Sequence, residues 1–305
     1  NATAFDAMAM VITTLQAFAG MWINAFIVCV LCIDWLKRRS FNSNEKILLF
    51  LGCSRFADMC ITWLYYIFAL TYPWCFYVQP IPQLFAAFQS FFDTSSVWAS
   101  ACLCGFYCVK IANLRNTFFF YLKVKIDRIV PWLLLGSVFL SLVMFILSYN
   151  INGTAVLRIL NTTTPENVWK LRVRMDGHLF PLLFLIGFML TTALIAVVFS
   201  ALFLLFSLWR HKCKMQTKAV KNLSMDAHIK AIKIILTFLF LYSLNFTRFM
   251  LTLIYATKKE TLVTFIVLIF KYALPVFHSL ILILSNPKLE KTLLRILPCE
   301  KCKVC

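Results

Sequence analysis

The chain has 305 residues, of which 62% are hydrophobic and 14% are charged, and its mean hydropathy is +0.83. A soluble domain is roughly half apolar and about a quarter charged, so this composition excludes an ordinary soluble protein, and the formal net charge of +18 does not indicate nucleic-acid binding. Apolar stretches such as residues 132–149 and 179–209 are long enough to cross a hydrocarbon layer of about 30 Å, and we expect a multi-pass membrane protein.

The hydrophobic pattern predicts seven helices in a single all-α bundle that spans the membrane. The predicted helices are residues 5–36, 46–74, 82–112, 128–150, 178–210, 229–256 and 261–285. An amphipathic cytoplasmic tail, residues 286–305, follows the seventh helix. The chain shows no internal repeat, so the paired halves of an inverted-repeat transporter have little support.

The loop charges predict the topology. Most Lys and Arg residues lie in loops 1–2, 3–4 and 5–6 and in the tail, and basic loops stay cytoplasmic. The N-terminus is therefore expected outside the cell and the C-terminus inside. The 4–5 loop then lies outside, and it carries two glycosylation sequons, at Asn152 and Asn161.

Several motifs carry a resemblance to a known family. The familiar rhodopsin-like marks are missing: no Asp-Arg-Tyr ends the third helix, and no Asn-Pro-x-x-Tyr stands in the seventh. The motifs present are INAFIVCVLCIDW at 23–35, CSRF at 53–56, FYCVKIANL at 106–114, LFSLWRHKCKMQ at 205–216, AHIKAIK at 227–233, FLFLY at 238–242 and HSLILILSNPKLE at 278–290. In this order and on these helices, the set resembles the type 2 (bitter) taste receptor family. One departure is that the middle of the fifth helix lacks the proline usual in the family.

The resemblance implies a G-protein-coupled receptor of the plasma membrane, with no enzymatic activity and no cofactor. Its ligand would be a small bitter molecule that enters a helical pocket from outside, and its partner a heterotrimeric G protein of the gustducin or Gi type. A membrane lipid or sterol is a further expected partner, since the basic 5–6 loop could hold anionic lipid. The alternatives are a type 1 vomeronasal pheromone receptor and, outside the receptor class, a small-solute transporter.

Four polar residues at similar depths in the outer half of the helices indicate where the ligand binds. Gln89 and Asp93 lie one turn apart on the third helix, Arg248 lies on the sixth and Lys271 on the seventh. Alignment with the family adds Tyr66, Asn245, Phe249 and Leu268 to the predicted lining.

Two roles stay open for the charges of these residues. Asp93 and Lys271 could form an ion pair that holds the resting state, because charges inside a membrane usually pair. They could instead face the cavity and select an amphiphilic ligand. An anionic ligand is then favoured slightly, because Asp93, Arg248 and Lys271 sum to one positive charge.

A second group of polar residues is expected to form a structural or switching network. Arg55 lies in the middle of the second helix, where a charge needs partners, and we expect it to reach Asn24, carbonyl groups of the seventh helix or Asp58. Other candidates for this network, several of them in family motifs, are Tyr107, Lys110, Tyr242, Pro275, His278 and Ser279. Tyr107 and Lys110 could equally be interfacial anchors.

The tail contains the sequence CEKCKVC, with Cys299, Cys302 and Cys305. Three thiols without a fourth ligand make a poor zinc site, and we expect no metal. Cysteines that follow an amphipathic helix close to the membrane favour palmitoylation instead.

Overall fold

The fold is described from a computed structural model, which describes residues 2–72, 78, 80–111, 117–162, 180–215, 236–237, 239–247, 249–251 and 261–296. Within these ranges the chain is helical except at short connections such as residues 39–42, and it contains no β-strand. The helices are α1 (Ala2–Arg38), α2 (Ser43–Thr71), α3 (Ile81–Ile111), α4 (Thr117–Thr162), α5 (Phe180–Met215), α6 (helical residues 236–237, 239–247 and 249–251), α7 (Thr261–Ser285) and α8 (Pro287–Ile296).

Helix α4 is longer at both ends than the 128–150 predicted from the apolar run. At its start, Lys125 Nζ donates to the Tyr121 hydroxyl at 2.6 Å, a contact between residues one turn apart. At its end, the helix continues through the stretch AVLRIL, residues 155–160, whose Ala, Leu and Arg residues favour a helix whether or not they lie in hydrocarbon. Hydropathy marks where a helix leaves the membrane, which differs here from where the helix ends.

Four helical segments among the described residues are long and apolar enough to cross a membrane: Met10–Arg38, Ser43–Tyr65, Phe120–Ile151 and Leu183–Ser207. A fifth follows if Ile269–Ser285 and Pro287–Ile296 are taken together as one bent span. Large apolar side chains on these helices face outward, for example Trp22 at 73% exposure and Phe184 at 78%. Such a surface suits lipid rather than water.

Helix α3 does not pass the same test of length and composition, because much of it is polar. It contacts α2, α4 and α5, so its polar side chains face other helices. Ser95 donates to Ser141 at 2.8 Å and Ser90 donates to Ser148 at 3.0 Å, which joins α3 to α4 through small hydrogen-bonding residues. Helix α3 is therefore an interior helix of the bundle.

The turn between α7 and α8 is formed by Asn286 and Pro287, which follow the apolar stretch of α7. The two helices are bent by 99° at Asn286. The Asn286 side-chain oxygen accepts the backbone N–H of Lys288 at 3.1 Å, and Pro287 occupies the first position of α8. Both residues suit a helix start, since asparagine caps orphan N–H groups and proline has none to lose. Leu289 then packs into the main core with no exposed surface.

Candidate functional site

Arg55 is the centre of a buried polar network between α2, α3 and α7. The residue is 4% exposed, and its guanidinium donates from Nη1 to Ser279 at 2.9 Å, from Nη2 to Ser100 at 3.0 Å and from Nε to Ser96 at 3.2 Å. Nη2 also lies 2.5 Å from Nδ1 of His278. The charge is thus surrounded by hydroxyl and imidazole groups, which replace the water that it would have outside a membrane.

Ser279 extends this network to α1. Its hydroxyl accepts from Arg55 and donates to Asn24 Oδ1 at 2.8 Å, while Asn24 Nδ2 donates to the Gly20 carbonyl at 2.8 Å. Ser279 and Asn24 are both fully buried. Ser279 therefore stands between Arg55 and Asn24, where the sequence suggested a direct contact, and α7 contributes side chains to Arg55 rather than the expected carbonyl groups.

A small cavity adjoins the Arg55 network, and we call it the α7 cavity. Its volume is about 30 Å³, which suffices for one or two water molecules. It is lined by Arg55, Asp58, Asp93, Ser96, Val97, Ser100, Leu241, Tyr242, Asn245, Lys271, Leu274, Pro275 and His278. Ligand candidates (Asp93, Asn245, Lys271) and network candidates (Arg55, His278) thus share one cavity, although the sequence analysis treated them as separate groups.

A second cavity, which we call the α5 cavity, lies on the other side of α3. Its volume is about 40 Å³, and it is lined by Ser90, Asp93, Thr94, Val97, Trp98, Met144, Ile186, Met189 and Leu190. Asp93 and Val97 line both cavities. The α5 lining is largely apolar, with two methionines that can adapt to different shapes.

The remaining ligand candidates are placed differently. Gln89 donates to the Thr62 hydroxyl of α2 at 3.1 Å, and Phe249 is 8% exposed and belongs to the main core. Neither lines the two cavities described above. Arg248 and the side chains of Tyr66 and Leu268 lie outside the described residues.

Two contacts place the other network candidates. The Tyr242 hydroxyl donates to the Val97 carbonyl at 2.6 Å, which joins α6 to α3. At the α8 end of the bundle, Lys110 pairs with Asp127 at 2.8 Å, and Tyr107 packs against the core.

An ion-pair cluster at the same end was not anticipated from the sequence. Glu45 of α2, whose side chain is 8% exposed, accepts from Arg38 of α1 at 2.8 Å and from Lys288 of α8 at 3.0 Å. Asp34 also contacts both Arg38 and Lys288. The signal in the sequence was present, because Asp34 lies four residues before Arg38, a spacing that brings charges together on a helix.

Comparison with known proteins decides the family. Residues 2–301 match the taste receptor protein (TAS2R) family. The chain belongs to this family. It is similar to taste receptor type 2 member 9 of Papio hamadryas, with 35% identity over 300 residues that cover 96% of this chain and 94% of the relative. It is also similar to member 9 of Homo sapiens, at 33% identity over 305 residues covering 98% and 96%, and to member 2 of Homo sapiens, at 29% over 298 residues covering 96% of each.

Membership of the TAS2R family confirms the predicted fold class, a seven-helix bundle of the G-protein-coupled receptor type, and excludes an enzyme family. It also confirms a multi-pass receptor of the plasma membrane that senses bitter taste. The family implies small-molecule ligands and G-protein coupling in general.

Several predicted sites of this TAS2R chain stay predictions. Asn152 and Asn161 both lie within α4, and their side chains are outside the described residues. Cys299, Cys302 and Cys305 also lie outside them. In the described part of the chain, the His, Cys, Asp and Glu residues form no group of three or more that could hold a metal ion.

Proposed function

We propose that this TAS2R receptor binds a small amphiphilic compound beside Asp93, Asn245 and Lys271 and transmits the binding to a heterotrimeric G protein of the gustducin or Gi type. The observation that carries the proposal is the shared α7 cavity, in which Asp93 and Lys271 line the same space as Arg55 and His278. A compound that touches Asp93 or Lys271 therefore acts directly on groups next to the Arg55 network.

The Arg55 network is suited to be the two-state element of this receptor. It joins α1, α2, α3 and α7 mainly through hydrogen bonds between side chains, and it also includes the carbonyl groups of Gly20 and Ser96 as acceptors. Side chains can exchange partners without unfolding a helix, so such a network has more than one arrangement. A ligand shifts the population by its difference in affinity between the two arrangements.

The charges of the α7 cavity indicate the ligand chemistry. Arg55 and Lys271 are balanced by Asp58 and Asp93 within the lining, so a ligand with one charged or strongly polar group disturbs this balance. With Arg248 added from the sequence, the outer part of the site favours an anionic group. The ligand is thus an amphiphile, and an anionic one binds best.

The proposal is tested by calcium imaging of cells that express the receptor with a promiscuous or gustducin-type G protein. A bitter library balanced between anionic and cationic compounds should contain agonists. Lys271→Met should weaken anionic agonists by about tenfold, the effect of about 1.4 kcal/mol, and Asp93→Asn should weaken cationic ones. Lys37→Met, at the exposed end of α1, serves as the control.

The same experiment separates the two roles of Asp93 and Lys271. If either substitution raises the basal activity and changes the responses to anionic and cationic compounds alike, the two residues lock the resting state rather than select ligands. A wild-type receptor that reaches the cell surface and responds to no compound would contradict the proposed function.

A further inference from the structure

The 1–2 loop, residues 39–42, carries a serine at its tip. Arg39 has a φ of 55°, and its backbone N–H donates to the Trp35 carbonyl at 2.6 Å, which ends α1 with a residue in the left-handed conformation. Both neighbours of Ser40 turn back to Trp35, since the Arg39 guanidinium lies 5.6 Å from the centre of the indole ring and the Phe41 ring stacks on it at 6.0 Å. Ser40 itself is exposed and lies outside the helices. Its hydroxyl is therefore accessible at the surface of the loop.

The sequence around Ser40 suits a protein kinase that selects basic substrates. It reads KRRSF, residues 37–41, so the serine directly follows three basic residues, all of which are exposed. Kinases choose their substrates partly by the pattern of charge around the acceptor. Arg38 is the last residue of α1, and helix ends fray readily. Only the last turn of α1 has to unwind for this segment to extend in the cleft of a kinase.

We propose that Ser40 is a phosphorylation site for a cytoplasmic protein kinase that selects basic residues before its acceptor. In the reaction, Ser40 Oγ bonds to the γ-phosphorus of a nucleoside triphosphate, and the bond from that phosphorus to the oxygen of the β-phosphate breaks. A nucleoside diphosphate leaves, and the hydroxyl proton is released. The inference goes beyond ligand binding and G-protein coupling, and it rests on the predicted cytoplasmic position of the 1–2 loop.

A phosphate on Ser40 lies beside an ion-pair cluster that joins three helices. Arg38 of α1 contacts both Asp34 and Glu45, and Lys288 of α8 contacts the same two carboxylates. The two positive and two negative charges of this cluster balance. Phosphorylation adds about −1.5 to −2 charges two residues from Arg38, and arginine binds phosphate oxygens through strong, charge-assisted hydrogen bonds.

The phosphate therefore competes with Asp34 and Glu45 for Arg38. The side chain of Glu45 is 8% exposed, and when Arg38 turns to the phosphate, Lys288 is the remaining basic partner of Glu45 within the cluster. The contact of α8 with α2 through Lys288 then contributes more to stability. Phosphorylation of Ser40 thus couples the 1–2 loop to α8.

The first test is phosphorylation of the purified full chain, in detergent and in bilayer nanodiscs with and without phosphatidylserine. The kinase is the catalytic subunit of cyclic-AMP-dependent protein kinase, supplied with magnesium ATP. Peptide mass spectrometry should locate a phosphoryl group on Ser40 in every preparation, and Ser40→Ala should abolish it. Ser43→Ala is the matched control and should leave it unchanged, because Ser43 is 7% exposed and donates to the Asp127 carbonyl at 3.4 Å.

A second test concerns recognition by the kinase. Arg38→Gln should lower kcat/KM for phosphorylation of Ser40 by about tenfold, which corresponds to about 1.4 kcal/mol in activation free energy. Lys46→Gln is the control, since Lys46 follows the serine rather than preceding it. It should leave kcat/KM unchanged.

A third test measures the coupling to α8. Lys288→Met should lower the midpoint of thermal unfolding more in receptor phosphorylated at Ser40 than in unphosphorylated receptor, because Glu45 has then lost Arg38 as well. Lys291→Met, at an exposed position of α8, should give the same small effect in both forms.

Four outcomes would overturn the inference. The first is the absence of phosphate from Ser40 in a receptor whose N-terminal tag is outside intact cells, and the second is an equal kcat/KM for wild type and Arg38→Gln. The third is an effect of Lys288→Met that is the same with and without the phosphate. The fourth is phosphorylation in detergent that is lost in phosphatidylserine bilayers, which would show that the basic residues of this loop bind lipid headgroups instead.

Discussion

Arg55 shows how a single charged residue is accommodated inside the bundle. A charge within the membrane costs several kcal/mol unless it is paired or hydrogen-bonded. Here three serines and His278 surround the guanidinium, and one of the serines, Ser279, also binds Asn24. Removing any one member leaves buried polar groups behind, so the members of the network depend on one another.

Ser279→Ala should destabilise the receptor, although the substitution removes only one hydroxyl group. The substitution leaves Asn24 Oδ1 without its donor and Arg55 Nη1 without its acceptor in that bond. The free energy of unfolding should fall by about 1–3 kcal/mol. The change is detected as a lower midpoint of thermal unfolding of the purified receptor. Ser243→Ala is the matched control, because Ser243 is exposed and its hydroxyl donates to the Leu239 carbonyl of its own helix. Equal midpoints for both variants would contradict this prediction.

His278→Ala should impair signalling more than ligand binding. His278 contacts Arg55 and lines the α7 cavity, but it belongs to the network rather than to the proposed ligand contacts Asp93 and Lys271. We expect a lower maximal calcium response, while an agonist still stabilises the purified protein against heat. Normal calcium responses at equal surface expression would show that the prediction is wrong.

The sequence identifies the charged residues of this site but not the serines that bind them. Arg55, Asp93 and Lys271 stand out because charges are rare in apolar stretches. Ser96 and Ser100 do not stand out, since serine is common in membrane helices and its partner depends on how α3 is rotated. Phe249 was expected to line the ligand cavity, and its packing on Gly187 of α5 could not be read from either residue alone.

At the scale of elements, α8 is held by its first turn. Asn286 caps the helix, Leu289 enters the core, and Lys288 contacts Asp34 of α1 and Glu45 of α2. Leu294 and Ile296, at the end of α8, are 63% and 56% exposed. Lys288 therefore helps to fix the orientation of α8 relative to α1 and α2.

Lys288→Met should loosen this attachment in a manner that depends on salt. Glu45 keeps Arg38 as a partner, so the loss is about 1 kcal/mol or less in the stability of the receptor. Raising the sodium chloride concentration should reduce the difference in thermal midpoint between wild type and variant, because salt screens the pair. Lys291→Met, on the exposed side of α8, is the control. A difference that persists unchanged at high salt would point to packing rather than charge.

The elements also show what hydropathy alone can predict. The turn at Asn286 follows from local chemistry, since an Asn-Pro pair suits the start of a helix. The length of α4 cannot be predicted in this way, because both ends of the helix continue beyond the apolar stretch. Hydropathy also does not place α3 inside the bundle. Its interior position depends on the helices packed around it.

At the scale of the whole molecule, contacts bring the 1–2 loop, the first part of α4 and α8 to one end of the bundle. Arg38 and Lys288 meet at Glu45, and Ser43 at the start of α2 donates to the Asp127 carbonyl of α4 at 3.4 Å. The 1–2 loop, Asp127 of α4 and the start of α8 therefore lie at the same end. Because basic loops stay in the cytoplasm, we predict that this end is cytoplasmic and that the N-terminus lies outside.

Glycosylation and epitope accessibility test this orientation. The end of α4 at Thr162 lies opposite the basic end, so Asn161 should carry a glycan, and Asn161→Gln should remove a mobility shift that glycosidase treatment also removes. Asn222→Gln is the matched control, since its sequon NLS lies in the basic 5–6 loop and should stay unmodified. An N-terminal tag should bind antibody on intact cells, and a C-terminal tag only after permeabilisation. The reverse pattern of tags would place the basic end outside, and with it the Arg38–Glu45–Lys288 cluster, which could then have no contact with a G protein.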